Sequence, residues 1–183
     1  MDFEKVLPII VERFEKNKIQ YALIGGFAMG LMGAPRATMD IDFLITKAAA
    51  GKIDEILTQL GYKCVYKSEN VAQYTSGLKL FGEIDFLYAF RQISKEMLRR
   101  AKIVKTLNGK LDIRVLIPED IIGLKIQAMT NNPDREAKER LDIEALLKNN
   151  SGELDWSLIK EYFFLFSKEE EFKMMKAKYG KSK

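Results

Sequence analysis

Asp40 and Asp42 stand one residue apart in the apolar run Met39-Asp40-Ile41-Asp42-Phe43-Leu44-Ile45. The alternation predicts a strand. In a strand residues i and i+2 share a face, so both carboxylates point one way while Ile41 and Phe43 point the other. Two ionised carboxylates side by side in an apolar strand repel each other and lose hydration, and a counter-charge must offset that cost. A divalent cation is the natural one. Oxygen ligands with no histidine or cysteine beside them favour Mg²⁺ or Mn²⁺ over zinc.

Fourteen residues before Asp40, a buried strand over residues 19–24 runs into Gly25-Gly26. A double glycine at the start of a helix lets backbone N–H groups approach an anion closely. An anion cradle next to a metal site is what handling a nucleoside triphosphate requires. A third carboxylate would complete such a site. Asp85, in Glu83-Ile84-Asp85-Phe86-Leu87-Tyr88, again interrupts an apolar strand and can meet Asp40 and Asp42 if the two strands are neighbours. Glu83 shares its face by period two and is the rival. Asp112 is a weaker one, because Asn108-Gly109 makes its strand part of an exposed hairpin.

The 183 residues contain no histidine, which excludes Ser-His-Asp triads, Cys-His dyads and His-ligated zinc. A general base must therefore come from Asp, Glu, Lys, Tyr or metal-bound water. Cys64 is the only cysteine, so a reducing cytoplasm is the expected compartment. No apolar run approaches the roughly 20 residues of a membrane-spanning helix, and residues 1–5 lack a signal-peptide core. Net charge is only +4, but it is unevenly spread. Arg91, Lys95, Arg99, Arg100, Lys102, Lys105 and Lys110 face one acid, Glu96, and Lys173, Lys176, Lys178, Lys181 and Lys183 close the chain. Such runs are either solvated faces or a contact surface for an anionic partner such as RNA.

The elements that must position these groups follow from periodicity and punctuation. Helices are expected at 2–17, 27–32, 48–60 and 92–101, and strands at 19–24, 39–45, 62–66, 71–75, 78–88, 103–107 and 111–116. From Pro118 the pattern becomes helical, with helices from 118, at 133–147 and at 156–179. Two regions result: a mixed α/β core, residues 1–117, and a helical region, residues 118–183.

Gly25-Gly26, Arg36-x-Thr38-x-Asp40-x-Asp42 and Ile84-Asp85 closely resemble the nucleotidyltransferase superfamily that includes DNA polymerase beta. The wording Gly-Gly-Phe-Ala followed by Pro-Arg-Ala-Thr-Met-Asp-Ile-Asp looks most like its AbiEii-type branch, which includes MenT-like toxins of toxin–antitoxin systems. Pro118-Glu-Asp-Ile-Ile-Gly-Leu-Lys125 and the later Leu141-Asp142-Ile143 are similar to that branch's lysine and aspartate helices. The resemblance implies an α+β fold: a mixed sheet flanked by helices, with a C-terminal helical appendage.

It also implies a reaction, attack of an acceptor hydroxyl on the α-phosphate of an NTP with release of pyrophosphate. Asp40, Asp42 and Asp85 would hold Mg²⁺ or Mn²⁺, with Asp85 also acting on the acceptor proton. Gly25, Gly26, Arg36, Thr38 and Asp142 fall on the nucleotide side, and Lys125 would neutralise charge on the pyrophosphate. Lys125 lies near Ile121, Ile122 and Ala128, so its charge is expected to be aimed at a cleft. Implied partners are the NTP, tRNA or another RNA as acceptor, and a cognate antitoxin protein. Phe27 departs from the pattern, since many members place Ser directly after the glycines. Two alternatives stay open: a catalytically silent nucleotide- or protein-binding module, and an enzyme that modifies an antibiotic, which would need an acidic pocket for a cationic drug.

Overall fold

The computed structural model describes residues 1–78 and 80–180. The chain divides into two compact units, residues 1–28 with 36–116 and residues 29–35 with 117–183.

The first unit is built on a seven-stranded mixed sheet. Its strands are β1 (Tyr21–Ile24), β2 (Asp40–Thr46), β3 (Tyr62–Lys67), β4 (Val71–Ser76), β5 (Glu83–Ala89), β6 (Lys102–Thr106) and β7 (Leu111–Val115). They lie in the order β3-β4-β5-β2-β1-β7-β6. β2 pairs parallel with β5 and β1 parallel with β7, while the other neighbours run antiparallel. The interior strand β1 is buried along its whole length, as a strand covered on both faces must be. On one face of the sheet Tyr21, Phe43 and Phe86 gather around Phe14 of α1 (Phe3–Lys16), with ring centroids 5.2–6.2 Å apart. α1 is capped by Asp2, and its apolar stripe of Val6, Leu7, Ile10, Val11 and Phe14 is fully inside. Pro8 sits within the helix, where it removes one backbone donor. Asp54 of α3 (Ala50–Gln59) accepts hydrogen bonds from Tyr74 of β4 and Lys67 of β3, which fastens the helix to the edge hairpin.

Several boundaries differ from the periodicity. The strand expected over 78–88 begins only at Glu83, because Leu78 and residues 80–82 belong to the β4–β5 connection, where Ser76 N–H donates to the Gly82 carbonyl at 3.1 Å. Lys79 of that expected strand lies outside the described residues. α2 (Gly25–Leu31) starts at the glycines themselves rather than at Phe27, and Phe27 packs on Phe3 with centroids 5.0 Å apart. α4 (Gln92–Arg100) packs on β2 and β5 and buries Met97 and Leu98.

The second unit is helical. It comprises α5 (Pro118–Asn131), α6 (Glu136–Asn149), α7 (Trp156–Leu165) and α8 (Glu169–Tyr179). The single helix expected over 156–179 is two. Ser167, with φ 55°, turns the chain between them, and Lys168 N–H closes on the Phe163 carbonyl at 2.9 Å. α5 crosses α7 where Gly123 lies flat beneath the Tyr162 ring; a Cβ there would meet ring carbons at 2.8 Å. The Tyr162 hydroxyl donates to the fully buried Asp120 at 2.6 Å. Asn149 and Asn150 donate to the carbonyls of Gly33 and Met32 at 2.8 and 2.9 Å, which ties the 29–35 segment to this unit.

Candidate active site

β2 and β5 run parallel in a register that sets Asp42 directly opposite Asp85 and Asp40 opposite Glu83. Cross-strand partners share a face, so the pleat brings three carboxylates together where sequence separation alone would not. One oxygen from each of Asp40, Asp42 and Asp85 lies within 4.8 Å of the others. Of the two rivals, Glu83 shares the face but is exposed and stands outside this group. Asp112 sits on β7 and is engaged by Lys105 at 2.9 Å.

The glycines are explained by the same carboxylates. The chain leaves β1 at Gly25 with φ +68°, and a Cβ there would run into the Asp42 carboxylate. A Cβ at Gly26 would lie 2.7 Å from Thr38 Oγ1 and 3.1 Å from the Arg36 guanidinium carbon. Only glycine lets the start of α2 approach this closely and adopt the left-handed backbone. Thr38 in turn donates to Asp40 Oδ1 at 2.5 Å. Arg36 donates to the Ala37 carbonyl at 3.1 Å.

Asp85 is half-buried. Burial raises its carboxyl above the usual aspartate range, the negative charges of Asp40 and Glu83 push the same way, and a hydrogen bond from Gln73 opposes them. This is the environment of a carboxylate waiting for a cation or a proton. Three hard oxygen donors at this spacing fit Mg²⁺ or Mn²⁺.

Lys125 and Asp142 belong to the second unit. The Lys125 ammonium is enclosed by two carboxylates. It lies 2.6 Å from Asp142 Oδ2 and 2.8 Å from Glu139 Oε2, with its side chain only 8% exposed and that of Glu139 at 0%. Arg135 reaches Glu139 from the other side at 2.5 Å. Burial opposes ionisation of Glu139, but Lys125 and Arg135 outweigh it and hold the carboxyl below its usual range. Residue spacing pointed to Lys125 on an otherwise apolar helix face; it carried no sign of Glu139.

The basic segment begins away from the carboxylates. Asp85 is the third residue of β5, and Arg91 lies six residues further, past the other end of the strand. At about 3.3 Å per residue that is roughly 20 Å, so α4 starts far from the carboxylates rather than beside them. Its charge is partly spent locally, with Arg99 and Arg100 at 3.2 and 3.8 Å from Glu96. In the C-terminal cluster, Lys173 and Lys178 pair with Glu170 and Glu144 at 2.6 and 2.8 Å, while Lys181 and Lys183 lie outside the described residues.

Residues 5–163 match the family described as Uncharacterised nucleotidyltransferase. The chain belongs to that family. Solved structures share its fold. The antibiotic-resistance factor ANT(2'')-Ia, in solution, is 16% identical over 97% of this chain and 96% of that one, with a TM-score of 0.64. The lincosamide antibiotic adenylyltransferase LnuA, bound to lincomycin, is 18% identical over 78% and 95%, with a TM-score of 0.55. A putative nucleotidyltransferase from Thermotoga maritima is 15% identical over 76% and 92%, with a TM-score of 0.57. No curated protein matches the chain. The α+β mixed sheet expected from the sequence is the fold of these nucleotidyltransferases. No helix among the described residues is long and apolar enough to cross a membrane.

Proposed function

We propose that this nucleotidyltransferase moves an NMP from an NTP to an acceptor hydroxyl at Asp40, Asp42 and Asp85, with Mg²⁺ or Mn²⁺ held by the three carboxylates. The observation that carries the reading is the convergence of one oxygen from each within 4.8 Å. The acceptor oxygen forms a bond to the α-phosphorus, the bond from that phosphorus to the bridging oxygen breaks, and pyrophosphate leaves. The bound divalent ions would neutralise the triphosphate and lower the pKa of the acceptor hydroxyl. Asp85 takes the hydroxyl proton. Thr38 holds Asp40 in place, and Gly25 and Gly26 keep the side of the site next to Asp42 free of side chains for the phosphates. Such a displacement asks mainly for positioning and charge neutralisation. A role for Lys125 on pyrophosphate requires its ammonium to exchange Glu139 or Asp142 for phosphate.

The acceptor class divides two readings. RNA, with a toxin role and an antitoxin partner, is supported by the AbiEii-type wording of residues 35–42 and by the basic residues of 91–110. A small cationic acceptor, such as an aminoglycoside, is supported by Glu83. That residue is exposed, opposite Asp40, and adds a fourth negative charge beside the carboxylates. The geometry around the carboxylates favours the second. Incubation with each of four labelled NTPs and Mg²⁺, against tRNA, bulk protein or an aminoglycoside, tests both readings. Label transferred to the aminoglycoside alone supports the small acceptor, and label on tRNA alone supports RNA. No EDTA-sensitive transfer to any acceptor, from any NTP, would favour the silent binding module.

A further inference from the structure

β4 alternates two buried residues, Ala72 and Tyr74, with the exposed Gln73 between them. The antiparallel pairing of β4 with β5 sets Gln73 opposite Asp85, just as β2 sets Asp42 opposite Asp85 on the other side. A row Asp42, Asp85, Gln73 therefore crosses three adjacent strands on one face of the sheet. The Gln73 amide Nε2 lies 3.1 Å from Asp85 Oδ2. Among the described residues it is the hydrogen-bond donor to that carboxylate.

The type of donor matters. A lysine or arginine at this position would neutralise Asp85 and repel a divalent ion. An apolar residue would leave a half-buried carboxylate free to turn away from its two like-charged neighbours. A neutral amide restrains the carboxylate and adds no net charge. Its length is also constrained, because asparagine would be one methylene short of the same oxygen.

We propose that Gln73 is a positioning residue that fixes the Asp85 carboxylate toward Asp40 and Asp42 in the form that receives a divalent cation. This deepens the proposed function and rests on it. Partners that orient a metal-binding group are typically worth about 10–100-fold in metal affinity or activity.

The test is Mn²⁺ titration of the full chain, followed by electron paramagnetic resonance, for wild type, Asp85→Asn, Gln73→Met and Gln73→Asn. Thermal unfolding without metal is measured on the same samples. Gln73→Met, close to glutamine in shape, and Gln73→Asn are both expected to weaken Mn²⁺ binding about tenfold or more. The unfolding midpoint is expected to stay within error, because the position is exposed. Retention of wild-type affinity by either variant overturns the proposal, whatever happens to the midpoint. In that case a weak Asp85→Asn and a tight wild type leave the carboxylate site standing. If wild type shows no saturable Mn²⁺ binding, or Asp85→Asn binds as wild type does, the carboxylate site itself falls and Gln73 with it.

Discussion

Gly25 lies over the Asp42 carboxylate so closely that no side chain fits between them, and its φ of +68° is one that L-residues rarely adopt. Gly25→Ala therefore meets two penalties at once. The left-handed backbone alone costs about 1–2 kcal/mol, and the added methyl must displace Asp42. The expected result is a folded protein of lower stability whose Mn²⁺ affinity falls more than its unfolding midpoint suggests. Gly109, also at positive φ but with open space around its missing Cβ, is the control, and Gly109→Ala should leave metal binding intact.

Asp42→Asn should lower transfer about 10²-fold or more, in the range seen when one key electrostatic group is removed. The amide keeps the shape of the carboxylate, so circular dichroism should be unchanged. Retained activity in an EDTA-sensitive assay would refute the assignment of Asp42 to the metal.

Asp85 gives a pH signature. Its folded-state pKa is raised above the ordinary aspartate value of 3.8, so the native state holds this proton more tightly than the unfolded chain does. Its favourable contribution is present below 3.8 and is lost as pH rises through the raised value. Metal-free Asp85→Asn should accordingly unfold at a higher temperature than wild type at pH 7, with the gap closing toward pH 4. Calorimetry across that window checks the sign, and saturating Mn²⁺ should erase the variant's advantage.

Lys125→Met leaves Glu139 and Asp142 buried without the ammonium between them. Breaking a buried pair from one side typically costs about 3–5 kcal/mol, and urea unfolding of the full chain measures it. The lowered Glu139 carboxyl stabilises the fold above its usual range, and that contribution is lost as pH falls through its folded value, so wild type should lose this advantage under acid conditions. A variant as stable as wild type, but with weakened triphosphate binding in calorimetric titration, would return Lys125 to the nucleotide.

Charge reversal of Lys95 and Arg99 tests the acceptor. If RNA lies along α4, each lost phosphate contact should flatten the log–log salt dependence of RNA binding by roughly one unit. For a small acceptor at the carboxylates the double variant should transfer as wild type does across a salt series.

The legibility of this chain follows from the range of its interactions. Asp40 and Asp42 were readable because a strand's period of two operates between neighbours in sequence, and an apolar strand has few reasons to carry two acids on one face. Asp85 was readable as a third acid in an apolar strand, but the β2–β5 register sets it opposite Asp42 and Glu83 opposite Asp40, and it is the convergence of oxygens within 4.8 Å that separates the two. The glycines were legible as a break, whereas their closeness to Asp42 and Thr38 appears only in three dimensions. The surroundings of Lys125 were hidden for the same reason. Its helix periodicity was plain, but Glu139, one of the two carboxylates that hold it, lies on α6 and carries no mark in a single sequence. The helix over 156–179 was read as unbroken because Ser167, which turns the chain, is not a glycine or proline.

The parallel pairing of β2 with β5 also has a bearing on how the chain comes to fold. Two parallel strands cannot be joined by a tight turn, and here α3 and the β3–β4 hairpin intervene before β5 docks beside β2. During synthesis Asp40 and Asp42 therefore emerge well ahead of Asp85, and the cluster that would grip a cation forms only once residues 83–89 have slotted between two strands made earlier. Metal capacity on this reading reports the docking of β5, before β6 and β7 are added at the other edge: a chain halted before β5 would carry the aspartate pair and its glycines yet have nothing to close the cage.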